Sequence, residues 1–267
     1  MRSSVSQEKA HSVCTLTSSK PTGTNGTRRK CSIRHKRGKH LAAAETRWRA
    51  LLSHLESCPK VPKDHAIHAR RNLAVTLRYQ RKYKEAESHQ RQIRQDLVEV
   101  HGVDHPKTLA STSNLAVVLC DQHKYEAAES LLQGALLGCQ KTLGVQHAAT
   151  LACQHNLALL YLGQSNGEKA VVTIERALAA KRALYAPRYP PSLLASMLTM
   201  AWILQQQARV VEAIELYDES LEGSLQTLGP EHNVTLACRA VIEGLEGRGD
   251  ETQSTMASHS PGATNIQ

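Results

Sequence analysis

Apolar residues recur at helical spacing from about residue 41 to residue 250, and the helical stretches come in pairs. Leu109, Leu115, Val118 and Leu119 mark the first stretch of one pair; Ala128, Leu131, Leu132, Ala135 and Leu136 mark the second. Steps of three and four place such side chains on one helical face. A short polar turn, Asp121-Gln122-His123-Lys124 or Gly163-Gln164-Ser165-Asn166-Gly167, separates the partners. A glycine suited to a left-handed cap follows the second stretch at Gly102, Gly144 and Gly229. Pro106 fits the first turn of the next helix.

The pairs repeat. Asn72-Leu73-Ala74, Asn114-Leu115-Ala116 and Asn156-Leu157-Ala158 stand 42 residues apart. Ala44, Ala86, Ala128, Ala170 and Ala213 form a second column, and Glu45, Glu87 and Glu129 follow the first three of these alanines. A third column is Leu109, Leu151, Leu193 and Leu236, preceded by Thr108, Thr150, Ser192 and Thr235. One hairpin cannot bury its own apolar face, whereas stacked hairpins can. The expected fold is all-α, a solenoid of antiparallel helix hairpins with a period of about 42 residues. It divides into a half unit at 41–57, full units near 61–102, 103–144, 145–186 and 187–229, and a capping helix near 233–247. Residues 1–40 are expected to be a disordered basic tail, 41–250 the solenoid, and 251–267 a second disordered tail.

Composition supports helices: Phe is absent, aromatics are 3%, and Leu and Ala carry the core. The net charge of +9 is concentrated at the start, since residues 1–40 hold ten Lys/Arg and one acid, while the remainder is neutral. That remainder is graded. Residues 41–103 have 12 basic and 7 acidic side chains; residues 207–251 have 3 and 10. The cluster Arg28, Arg29, Lys30, Arg34, Lys36, Arg37 and Lys39 is a candidate nuclear-targeting or nucleic-acid contact. Seven cysteines without a C-x-x-C pair suggest reduced thiols, and with no apolar run of membrane length the expected setting is intracellular, cytoplasmic or nuclear.

The Asn-Leu-Ala triplet, the Tyr-x-x-Ala-Glu segment and the linker Gly102-Val103-Asp104-His105-Pro106-Lys107-Thr108 resemble the tetratricopeptide repeats of kinesin light chains and their relatives. The resemblance covers roughly residues 41–250. It implies a right-handed superhelix whose first helices line a concave groove that takes short peptide segments, with the groove asparagines on the peptide backbone. Carried over, this marks Asn72, Asn114 and Asn156, with Thr199 at the fourth place. A motor light chain also has heptads ahead of its repeats, and residues 1–40 contain none.

The residues support this from their own chemistry. An amide both donates to and accepts from an extended backbone; the competing role is a hydrogen bond between neighbouring helices. His68, Arg71, Arg78, Ser113, His155 and Trp202 share the face by helical spacing. Arg71 and Arg78 are candidates for holding carboxylates of an acidic segment, and Trp202 is a candidate anchor or a core residue. A phosphate loop, a nucleophile elbow and a zinc spacing are all missing from the sequence. The expectation is therefore a protein-binding scaffold without catalysis, metal or cofactor.

Overall fold

A computed structural model describes residues 24–58 and 62–257, and within these the side chains of 40–58 and 62–245. The described residues form ten helices and no strand: α1 (Thr24–Ser57), α2 (Lys63–Tyr79), α3 (Tyr83–His101), α4 (Pro106–Asp121), α5 (Tyr125–Leu143), α6 (Ala148–Gly163), α7 (Gly167–Tyr185), α8 (Pro191–Gln206), α9 (Val210–Leu228) and α10 (Asn233–Ala257). From α1 to α6 each helix packs on the next, α8 packs on α9 and α9 on α10, and α4 also touches α6. The architecture is the expected all-α stack of hairpins. Helix α1 starts upstream of the boundary drawn at residue 41, and α10 runs past residue 250. The reach of the apolar repeat pattern set those boundaries, and a helix can run beyond it, since Arg and Lys are good helix formers. Residues 1–23 and 258–267 lie outside the described residues.

The chain divides into two compact units that meet in sequence at Thr173 and Ile174. In the first, α1 to α6 bury Leu52, Leu73, Leu77, Ile93, Leu97, Leu119, Leu132 and Leu160. Ala74, Ala86, Ala116 and Ala128 are fully buried, which agrees with close approach of paired helices at the alanine columns. In the second, Leu193, Leu194, Met197, Ile203 and Tyr217 form the interior of α8 and α9.

Local chemistry explains why the repeat closes. Gly102, Gly144 and Gly229 have φ of 87°, 93° and 87°, a region open to glycine at little cost. Thr108, Thr150 and Thr235 then donate their hydroxyls back to the carbonyls of those glycines, at 2.8, 2.7 and 2.8 Å. Between them, His105, His147 and His232 cap the next helix: each Nδ1 accepts the backbone N–H two residues on, at 3.2 Å. The turn inside each hairpin carries a non-glycine residue at positive φ: Arg81, His123, Ser165 and Ala208.

Candidate functional site

In the first unit the first helices of successive hairpins stand side by side, linked by their own side chains. The Arg78 guanidinium pairs with Asp121 at the end of α4, Lys107 reaches Asp64 at 3.5 Å, and the Asn156 amide donates to Ser113 Oγ at 2.9 Å. The face carrying these links also exposes Val75 and Tyr79 of α2, Ala110 of α4 and Ala152 of α6.

The three asparagines occupy one register but are not equivalent. The Asn72 amide donates to the His68 carbonyl at 3.1 Å and lies 3.2 Å from His68 Nδ1, so it is held within its own helix. Asn156 bridges to α4, the role expected of a purely structural asparagine. Asn114 is exposed, and its amide has no hydrogen bond to any described residue. At the fourth place Thr199 is buried and returns its hydroxyl to the Ala195 carbonyl at 2.8 Å. Arg71 is half-buried and makes no ion pair with a described residue. Arg78 already holds a carboxylate, that of Asp121. His155 is half-buried on α6, beside Asn156. Trp202 is half-buried on α8 of the second unit.

A different column, noticed in the sequence but given no role there, makes the charged contacts between repeats. Glu45 accepts from Lys82 Nζ at 2.8 Å, Glu87 from Lys124 Nζ at 2.8 Å and from Gln122 at 2.8 Å, and Glu129 from Gln164 at 3.0 Å. Hydrogen bonds from Lys82, Arg49 and Gln80 hold Glu45 down at about 2 against the opposing effect of burial. Burial pushes Glu87 up, but Lys124, Gln122 and Arg91 together overcome it and hold it at about 2. Recurrence of Glu with Gln and Lys 35 and 37 residues later was the available signal.

Cys139, Cys153 and Cys238 are buried, and Cys58 and Cys120 are half-buried. Burial pushes Cys120 and Cys153 up to about 12 and Cys238 to about 11, so these thiols stay protonated. Among the described residues no three His, Cys, Asp or Glu side chains gather to hold a metal, and no helix is long and apolar enough to cross a membrane.

Family profiles for the tetratricopeptide repeat match residues 67–107, 108–183 and 193–233, together more than half of the chain. The chain belongs to the tetratricopeptide repeat family. Its repeats are of the kinesin-light-chain type. They are similar to a putative kinesin light chain of Podosopora anserina with nearly identical TPR-like repeats, at 27% identity over 72% of this chain and 92% of that one, TM-score 0.55. BtubC (BKLC) from P. vanneervenii shares the fold at 19% identity, 88% and 82% coverage and TM-score 0.55. So does the Rap conjugation gene regulator of plasmid pLS20, solved in complex with the Phr* peptide, at 13% identity, 95% and 71% coverage and TM-score 0.66. No curated protein matches the chain. The tetratricopeptide stack is a scaffold for protein interaction.

Proposed function

We propose that this chain is a non-catalytic adaptor whose first-helix face, in the first unit, captures an extended segment of a partner protein. The observation that carries this reading is the exposed Asn114 amide, uncommitted at the centre of the face formed by α2, α4 and α6. An unpaired amide there costs nothing while water solvates it, and it can exchange that water for a peptide N–H and C=O. Asn72 and Asn156 frame it but are already held by His68 and Ser113. They contribute through their remaining carbonyl oxygens. Arg71, half-buried and unpaired among the described residues, favours an acidic residue in the segment. Arg78 is less available, because binding a ligand carboxylate means competing with Asp121. His155 shapes the α6 end of the face, and Trp202 would serve as an aromatic anchor in the second unit only.

The test is a peptide-library screen on the full chain beside Asn114→Ala. Selected peptides should bind the variant about five-fold more weakly, in line with about 1 kcal/mol for a hydrogen bond to a neutral group, while Asn72→Ala and Asn156→Ala cost less. Equal binding by the parent and Asn114→Ala would refute the amide's role.

A second reading rests on charge. Arg28, Arg29, Lys30, Arg34, Lys36, Arg37 and Lys39 fall within α1, and no acid precedes Glu45 in that helix. This basic stretch would bind nucleic acid through phosphates, with affinity falling steeply as salt rises. Nucleic-acid binding that is unchanged on deleting residues 24–39 would exclude it.

A further inference from the structure

The repeat columns show that the first and last described helices are each half of a hairpin. Helix α1 belongs with the second helices, since its Ala44 and Glu45 stand in register with Ala86 and Glu87. Helix α10 belongs with the first helices, since Thr235 and Leu236 stand in register with Thr108 and Leu109. Burial records what each half lacks. In complete hairpins Leu109, Leu151 and Leu194, each four residues past its helix cap, are 6%, 1% and 2% exposed, whereas Leu236 at the same place is 42% exposed. Ile93, Ala135, Ala177 and Ser220 are at most 1% exposed, whereas Leu51 in their column is 41% exposed. Trp48 is likewise only half-buried where Leu132 and Ile174 are fully covered.

These two columns touch each other wherever a hairpin is complete. Leu109 packs with Ala135 and Cys139, and Ile67 packs with Ile93 and Leu97. The second case shows that the contact accommodates two branched side chains. Leu236 and Leu51 are therefore the missing halves of one known contact, each left open. We propose that the chain associates head to tail with a second copy of itself, α10 of one copy seating its Leu236 and Ala240 on Trp48, Leu51 and Leu55 of α1 in the next, so that two half-hairpins complete each other.

Charge favours this pairing over like ends meeting. The basic excess lies in residues 41–103 and the acidic excess in residues 207–251. The contact is heterologous, using different surfaces on the two copies, and such contacts propagate into a ring or an open filament.

Sedimentation velocity on the full chain across a hundred-fold concentration range tests the proposal. Mass should rise with concentration, and less so at high salt. Leu51→Arg and Leu236→Arg change side chains that are exposed within one copy, so thermal melts should barely move, while each should weaken association at least about ten-fold. If either arginine variant melts early, Leu51→Ser and Leu236→Ser replace them, with the same expected order. An equimolar mixture of the two variants keeps one intact α10 face and one intact α1 face, and should form a heterodimer and nothing larger. A chain that is monomeric throughout, association that survives both substitutions, or a mixture that stays monomeric would each overturn the proposal. A monomer would instead assign the open faces to this chain's own terminal segments.

Discussion

Lys181 on α7 sits in the column that holds Leu97, Cys139 and Ser224 in other hairpins, and it is 3% exposed. Its ammonium donates to the Ser192 carbonyl at 2.9 Å and to Ser196 Oγ at 2.7 Å, both neutral acceptors. Burial pushes the amine down from its ordinary 10.5 to about 8. A shift of that size corresponds to about 3 kcal/mol of folding free energy lost at pH 7 by keeping a proton on a buried amine. Lys181→Met removes that cost with an unbranched side chain of similar length. It also takes a donor from two acceptors, but Ser196 Oγ still donates to the Ser192 carbonyl at 3.3 Å, so about 1–2 kcal/mol is returned. The variant should be more stable by about 1–2 kcal/mol at pH 7, raising the melting temperature by about 3–6 °C for a chain of this size. The sign with pH follows from the depressed amine. The unfolded chain binds the proton more tightly, so the cost is complete below pH 8 and is relieved as pH rises toward 10.5. Circular-dichroism melts of parent and variant, taken as a difference at each pH from 7 to 10.5, should show the advantage falling through zero and reversing by about 1–2 kcal/mol, because the lost hydrogen bonds remain when the charge cost is gone. A variant less stable at pH 7, or an advantage that does not change with pH, would refute the argument that the ammonium is desolvated.

Two further outcomes follow from the repeat contacts. Glu45 and Glu87 are held at about 2, below the ordinary carboxyl value of 4.5. The stability they contribute is complete above pH 4.5 and is lost as pH falls toward 2. Glu87→Gln should therefore cost about 1–2 kcal/mol at pH 7, less than the full shift because Lys124 is half-exposed, and almost nothing near pH 2; urea melts at both pH values measure this. Ala208 holds φ of 60° in the α8–α9 turn without glycine's freedom. Ala208→Gly should raise stability by about 0.5 kcal/mol in the same melts, after the entropy of the extra glycine is subtracted from the relief of left-handed strain.

The groove asparagines show how far residue identity reaches. Their shared register was legible because one period holds several columns together. Their different states were not, since His68 lies four residues away in the same helix while Ser113 lies 43 residues from Asn156. The linker histidines cap helices through their Nδ1 atoms, a role usually taken by Ser, Thr, Asp or Asn, so residue type did not signal it. Arg78 read as a free groove cation because Asp121 is 43 residues away and only stacking brings the two together.

Sequence alone determined the repeat, its 42-residue period, the hairpin unit and the places of glycine, alanine and leucine within it. These follow from local rules: helical spacing of apolar residues, the left-handed cap, and small residues where backbones approach. Tertiary structure decided which polar groups remain uncommitted. Among the described residues Asn114 has no hydrogen-bond partner, Arg78 is paired with Asp121, Glu45 and Glu87 join neighbouring repeats, and Leu51 and Leu236 are exposed. Each of these outcomes depends on a neighbour one repeat away or on the lack of one, and the side chain's own surroundings in sequence carry no record of it.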